Sequence, residues 1–175
     1  AREVMERGLR GSSSNMAIYS IKKLGELEKA VQETVQTLKG TETKIILENK
    51  KGYIDILGTI KNQFKSGFLS ARAKEAENLT QQLRGIRGNK VDLDLALNVR
   101  RFIDKMRNTS SFRLDPKLTP RQEEFKVAAD TLRGQLSKAG LKDLMNEERV
   151  YIDAVENIVK DAAARKNVKL LNLTD

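Results

Sequence analysis

Both prolines of this 175-residue chain fall in one short segment, Asp115-Pro116-Lys117-Leu118-Thr119-Pro120, so long stretches on either side lack the residue that most strongly breaks helices. Within those stretches apolar residues recur at intervals of three and four, the spacing that gathers side chains on one face of an α-helix. Ile21, Leu24, Leu27, Val31, Val35 and Leu38 form the first such stripe, which ends near Gly40. The second runs through Ile46, Tyr53, Leu57, Ile60, Phe64 and Phe68, with Ile54 and Ile56 widening it, and lapses at Asn49-Lys50. Leu69, Ala73, Ala76, Leu79 and Leu83 continue toward Gly85. Residues 42 to 84 are therefore either one interrupted helix or two helices hinged near Ser66-Gly67, and Gly52, Gly58 and Gly67 each weaken a helix interior by about 1 kcal/mol relative to alanine.

Val91 to Leu97 opens with the alternation of a strand, but Leu95, Val99, Phe102 and Met106 share one helical face over the longer window. We read it as a helix, with Asp92 or Asp94 capping its start and Lys105 and Arg107 near its end. That reading also takes the two aspartates as capping acids rather than as a metal-binding or acid-base pair. After the proline segment, Thr119-Pro120-Arg121-Gln122 has the form of a helix start. Phe125, Ala128, Ala129, Leu132, Leu136 and Ala139 follow, with Gly140 as the stop. A last helix carries Leu141, Leu144, Met145, Tyr151, Ile152, Val155, Ile158, Val159 and Ala162. The expected fold is all-α, a bundle of four to six amphipathic helices with room for a long coiled-coil hairpin. Residues 1–15 are expected to be an N-terminal arm and linker, residues 16–166 a helical domain with a sub-boundary at 108–119, and residues 167–175 a tail whose three leucines favour a partner surface.

There is no histidine, cysteine or tryptophan. This excludes Ser-His and Cys-His nucleophile systems and thiolate or imidazole metal sites, and leaves no side chain whose ordinary pKa lies near neutrality. No residue is assigned a catalytic, cofactor-binding or metal role, and the expectation is a protein that is not an enzyme. Tyr19, Tyr53 and Tyr151 lie on or beside apolar stripes and are read as core or rim residues with their hydroxyls at the surface. Leu24, Val31, Leu57, Phe64, Leu132, Leu136, Ile152 and Val155 are read as core.

The N-terminal Arg2-Glu3-Val4-Met5-Glu6-Arg7 mixes charge signs ahead of no apolar run, unlike a signal peptide, so synthesis in the cytosol is expected. Apolar runs such as Ile45-Ile46-Leu47 are far shorter than the roughly 20 residues that span a bilayer, so no integral membrane segment is expected.

The formal charge is +9, and all of that excess belongs to residues 1 to 120, since residues 121 to 175 carry equal numbers of acids and bases. Such a balance favours polyanions. Arg84, Arg87, Lys90, Arg100, Arg101, Lys105, Arg107, Arg113 and Lys117 concentrate between positions 84 and 117, with Phe102 and Phe112 the only rings nearby. This group is the candidate surface for non-specific nucleic-acid binding. Its first part, Arg84-Gly85-Ile86-Arg87-Gly88-Asn89-Lys90, lacks the spacing of a phosphate-binding loop and reads as a turn. The favoured function is different: a helical assembly module that packs against copies of itself or a larger protein partner through amphipathic helices.

Asp92-Leu93-Asp94-Leu95-Ala96-Leu97 through Arg100-Arg101-Phe102-Ile103-Asp104, followed by Asp115-Pro116 and Ala128-Ala129-Asp130-Thr131-Leu132-Arg133, resembles helical segments of large bacteriophage virion proteins of the ejection and tape-measure types. The resemblance covers residues 92 to 133 and rests on common helix-forming residues. It implies a structural role in a virion, without catalysis.

Overall fold

A computed structural model of the chain describes residues 13–38, 44–63, 70–108 and 121–165. Arg113, Lys117, Phe64, the Thr119-Pro120 helix start, the arm before Ser13 and the tail 167–175 lie outside the described residues.

The described chain is helical apart from one small ribbon, as the three-four spacing requires. In order it forms α1 (Ser13–Leu38), β1 (Lys44–Ile46), α2 (Lys50–Gln63), α3 (Ser70–Gly85), β2 (Lys90–Asp92), α4 (Leu93–Asn108), α5 (Gln122–Leu136) and α6 (Lys142–Ala164). The helices pack most extensively in three pairs: α2 with α3, α4 with α5, and α1 with α6. Consecutive helices make the first two pairs. The third joins the two ends of the described chain, so it is not a hairpin, and the two consecutive pairs are of helices only 14 to 16 residues long. The longest helices, α1 with 26 residues and α6 with 23, are not consecutive, so the long hairpin for which the sequence left room is not formed by the described helices.

Three boundaries differ from the sequence reading. Helix α1 begins at Ser13, inside the stretch read as linker, because serine and asparagine suit a first helical turn whose N–H groups have no intrahelical partner. Ile46, expected on a helical stripe with Tyr53, belongs instead to β1. There it pairs with Lys90 and is 54% exposed, while Ile45 pairs with Val91 and is buried. Likewise the alternation at Val91 is a strand for the three residues Lys90–Asp92 before α4 takes over. Three-residue strands are too short to show a period, so apolar spacing alone assigned them to the neighbouring helices.

The core holds Val31, Val35, Leu57, Ile60, Leu83, Leu97, Phe102, Phe125, Leu132 and Leu136. Of the side chains expected inside, Val31, Leu57, Leu132, Leu136, Ile152 and Val155 are buried, and Leu24 is partly buried against the Val155 cluster. Tyr53 corrects the expectation of a surface hydroxyl. Its ring is buried, its O–H donates to the Ala128 carbonyl at 3.2 Å, and burial pushes its pKa up to about 12.

Helices α5 and α6 are separated by a wide turn at Ser137–Leu141, where Gly140 takes φ +110°. A side chain there would be strained, whereas Gly134, inside α5, has open space where a Cβ would stand. Gly140→Ala is expected to lower stability by about 1–2 kcal/mol, and Gly134→Ala to raise it by about 0.5–1 kcal/mol. Urea unfolding of the two variants checks the contrast; equal effects would mean that Gly140 is not held at positive φ.

Candidate functional site

Helix α4 is covered on nearly every side. Leu93, Leu95, Ala96, Leu97, Val99, Phe102, Ile103 and Met106 are buried. Among the described side chains of α4 only Asp94, Asn98, Arg101 and Lys105 form an outward stripe, at the four-three-four spacing of one helical edge. Arg100, Asp104 and Arg107 stand on the buried side, continuing the line of Leu93 and Leu97. They have therefore been carried inside with it.

Burial of charge requires partners, and the neighbouring helices supply them. Asp104 accepts hydrogen bonds from Arg100 at 3.1 Å and from Arg133 of α5 at 2.7 Å, and Arg107 lies 3.8 Å away. Arg107 donates to Glu156 of α6 at 2.6 Å, and Lys160 reaches the other oxygen of that carboxylate at 3.1 Å. Arg133 also pairs with Asp130. Arg100 approaches Glu148 of α6 to 2.8 Å. Neither atom of that last contact has a hydrogen bond of acceptable direction, so it is an ion pair without alignment. Three arginines and three carboxylates, all at most 6% exposed, thus tie α4, α5 and α6 together.

Burial raises the Glu148 pKa above its ordinary 4.5, and attraction to Arg100 and Arg101 does not reverse it. A carboxyl whose folded pKa exceeds its unfolded value holds its proton more tightly when folded. Its contribution to stability is then present at low pH and lost as pH rises from 4.5 through the folded value. Relative to Glu148→Gln, the wild type is expected to lose stability as pH rises from about 4 toward neutrality, followed by urea unfolding at each pH. A wild type that instead gains stability relative to Glu148→Gln as pH rises would mean that the Arg100 contact stabilises the carboxylate after all.

Beside this network a groove of about 590 Å³ opens between α1, α3, α4 and α6. Ile21, Leu24, Leu79, Ile152 and Val155 give it an apolar wall. Its charged residues are Arg100, Arg101 and Lys105 against Glu28, Glu75, Asp104 and Glu148, so it has no cationic excess. Arg101 spans one side: it donates to the Glu28 carbonyl at 2.6 Å and to the Gln32 side chain at 3.0 Å, clamping α1 to α4.

The cations singled out from sequence therefore do not form one surface. Arg100 and Arg107 are withdrawn from it by burial at 2% and 1% exposure, and Arg101 is half-buried and engaged with α1. Arg84, Arg87, Lys90 and Lys105 are exposed, with Lys105 on the outward edge of α4 and the other three around the α3–β2 turn. Sequence reasoning missed Arg133, Glu148 and Glu156 as partners of α4. A signal was available: positions 97, 100, 104 and 107 repeat the three-four spacing of the apolar stripes, which marks Arg100 and Arg107 as facing inward with Leu97.

Among the described residues no group of three or more acids could hold a metal ion, and no helix is long and apolar enough to cross a membrane. Neither a protein-family model, nor a curated protein, nor a solved structure matches the chain.

Proposed function

We propose that the chain is a non-enzymatic helical assembly module that associates with a second copy of itself through α1. The observation that carries this reading is an apolar edge left in water. Ile18 and Ile21, one turn apart on α1, are 52% and 37% exposed, and Ile21 and Leu24 continue along the wall of the groove. Covering such an edge is favourable in proportion to the apolar area removed from water. The groove beside it, with three cations against four carboxylates, carries little net charge to repel an approaching helix. The finer reading, a virion component, rests on the resemblance of residues 92 to 133 alone.

Light scattering over a range of protein concentrations tests the proposal. Apolar association is not screened by ions, so oligomers are expected to persist at about 0.5 M salt and to dissociate in an Ile18→Glu/Ile21→Glu variant that keeps its helical circular dichroism. A wild type that stays monomeric at every concentration, or a double variant that still assembles, contradicts it.

A further inference from the structure

Two basic segments that are far apart in sequence meet at one end of the bundle. Antiparallel pairing sets Lys44 opposite Asp92, Ile45 opposite Val91 and Ile46 opposite Lys90. Ile45 and Val91 point inward and are buried, so alternation turns Lys44, Ile46, Lys90 and Asp92 outward. The Leu47 N–H donates to the Asn89 carbonyl at 2.7 Å, extending the union into the turn. Lys50, at the start of α2, donates to the carbonyls of Ile86 and Gly88 at 2.7 and 2.9 Å and so fixes the turn that displays Arg87 and Lys90. Lys51 and Arg84 are exposed on either side.

We infer that this end of the bundle, formed by Lys44, Lys50, Lys51, Arg84, Arg87 and Lys90, binds the phosphate backbone of nucleic acid without reading its sequence. Against the six cations these segments carry two acids, Glu48 and Asp92, and Asp92 is already 3.8 Å from Lys44. Helix α2 begins here with no acid in its first turn, so its N-terminal end adds about half a positive charge, whereas Asp94 offsets that of α4. Neither segment contains an aromatic ring on which a base could stack, so attraction to phosphates and the release of their counterions supply the affinity. An anionic membrane fits less well. Membrane binding also grows with buried apolar area, and the two segments offer Ile46 as their one exposed large apolar side chain. The surface shares Arg84, Arg87 and Lys90 with the group read from sequence. It replaces the buried arginines of α4 with three lysines from residues 44–51, and it does not rest on self-association through α1.

The test is fluorescence anisotropy of a labelled DNA duplex and a labelled single-stranded RNA, titrated with the full chain at salt from about 50 to 200 mM. With about five phosphates neutralised, duplex affinity is expected to fall by two to three orders of magnitude across that range. The triple reversal Lys44→Glu/Lys51→Glu/Arg87→Glu is expected to abolish binding, and Lys51→Gln and Arg87→Gln alone each to reduce the salt slope by about 1. Lys105→Glu, in the last turn of α4 and so at the end of that helix away from β2, is expected to bind as the wild type does. The variants at Lys44, Lys51 and Arg87 should scatter light as the wild type does, so a failure of this proposal is distinguishable from a failure of assembly. Absence of binding at about 50 mM salt, equal loss in Lys105→Glu and the triple variant, or binding to phosphatidylserine vesicles but not to either nucleic acid would overturn the inference.

Discussion

Replacing Asp104 with alanine is expected to lower the unfolding free energy by about 3–5 kcal/mol, because it leaves buried cations without their shared carboxylate. Arg100 and Arg133 both donate to Asp104, and all three side chains are at most 7% exposed. A loss of that size is a large part of the roughly 5–15 kcal/mol that holds a domain folded. An exposed ion pair such as Arg149 with Asp153, at 3.9 Å, should by contrast contribute no more than about 1 kcal/mol. Urea unfolding of Asp104→Ala and Asp153→Ala makes the comparison, and equal losses would show that the network is solvated. Replacing Arg100, Asp104, Arg133 and Glu148 together by leucine or methionine removes these charges along with their buried partners and leaves Arg107 paired with Glu156. It is expected to be far less damaging than Asp104→Ala alone, since buried ion pairs seldom outdo apolar packing of similar volume.

The second large effect is expected at Phe125, which is 1% exposed in the core beneath α5. Phe125→Ala removes a buried ring and leaves a cavity that the surrounding helices fill only in part, a loss of about 3–5 kcal/mol. Val127, two residues along the same helix, is 63% exposed, and Val127→Ala should stay within about 0.5 kcal/mol of the wild type. Thermal or urea unfolding of the pair fixes which face of α5 meets the core. Similar losses from both would mean that Val127 is covered in an assembly.

Helix α5 and the break at Gly140 were legible because their signals are local. Phe125, Ala129, Leu132 and Leu136 repeat over several turns, and a glycine at the end of such a stripe has one common use. The ribbon was not legible, because Ile45 and Val91 are 46 positions apart in the sequence and nothing within either segment announces the other. For the same reason the basic end of the bundle was seen as half of itself: Arg84, Arg87 and Lys90 were visible as a cluster, while Lys44, Lys50 and Lys51 join them only through strand pairing. Arg100 and Arg101 show a second limit. Adjacent residues on a helix point about 100° apart, so one lies in the ion network and the other on the rim of the groove. Counting charges along the chain treats them alike. Only the spacing of Arg100, Asp104 and Arg107 relative to Leu97 separates them.

The central claim is that the arginines on the inner side of α4 hold the bundle together instead of meeting an external polyanion. Its most direct test is a double-mutant cycle between Asp104 and Arg133, using Asp104→Ala, Arg133→Ala and the combined variant in urea unfolding. The account predicts a coupling of about 1–3 kcal/mol, as groups sharing a buried network give. Losses that add to within about 0.3 kcal/mol would contradict it, showing that the two side chains do not meet and leaving the α4 arginines free for another role.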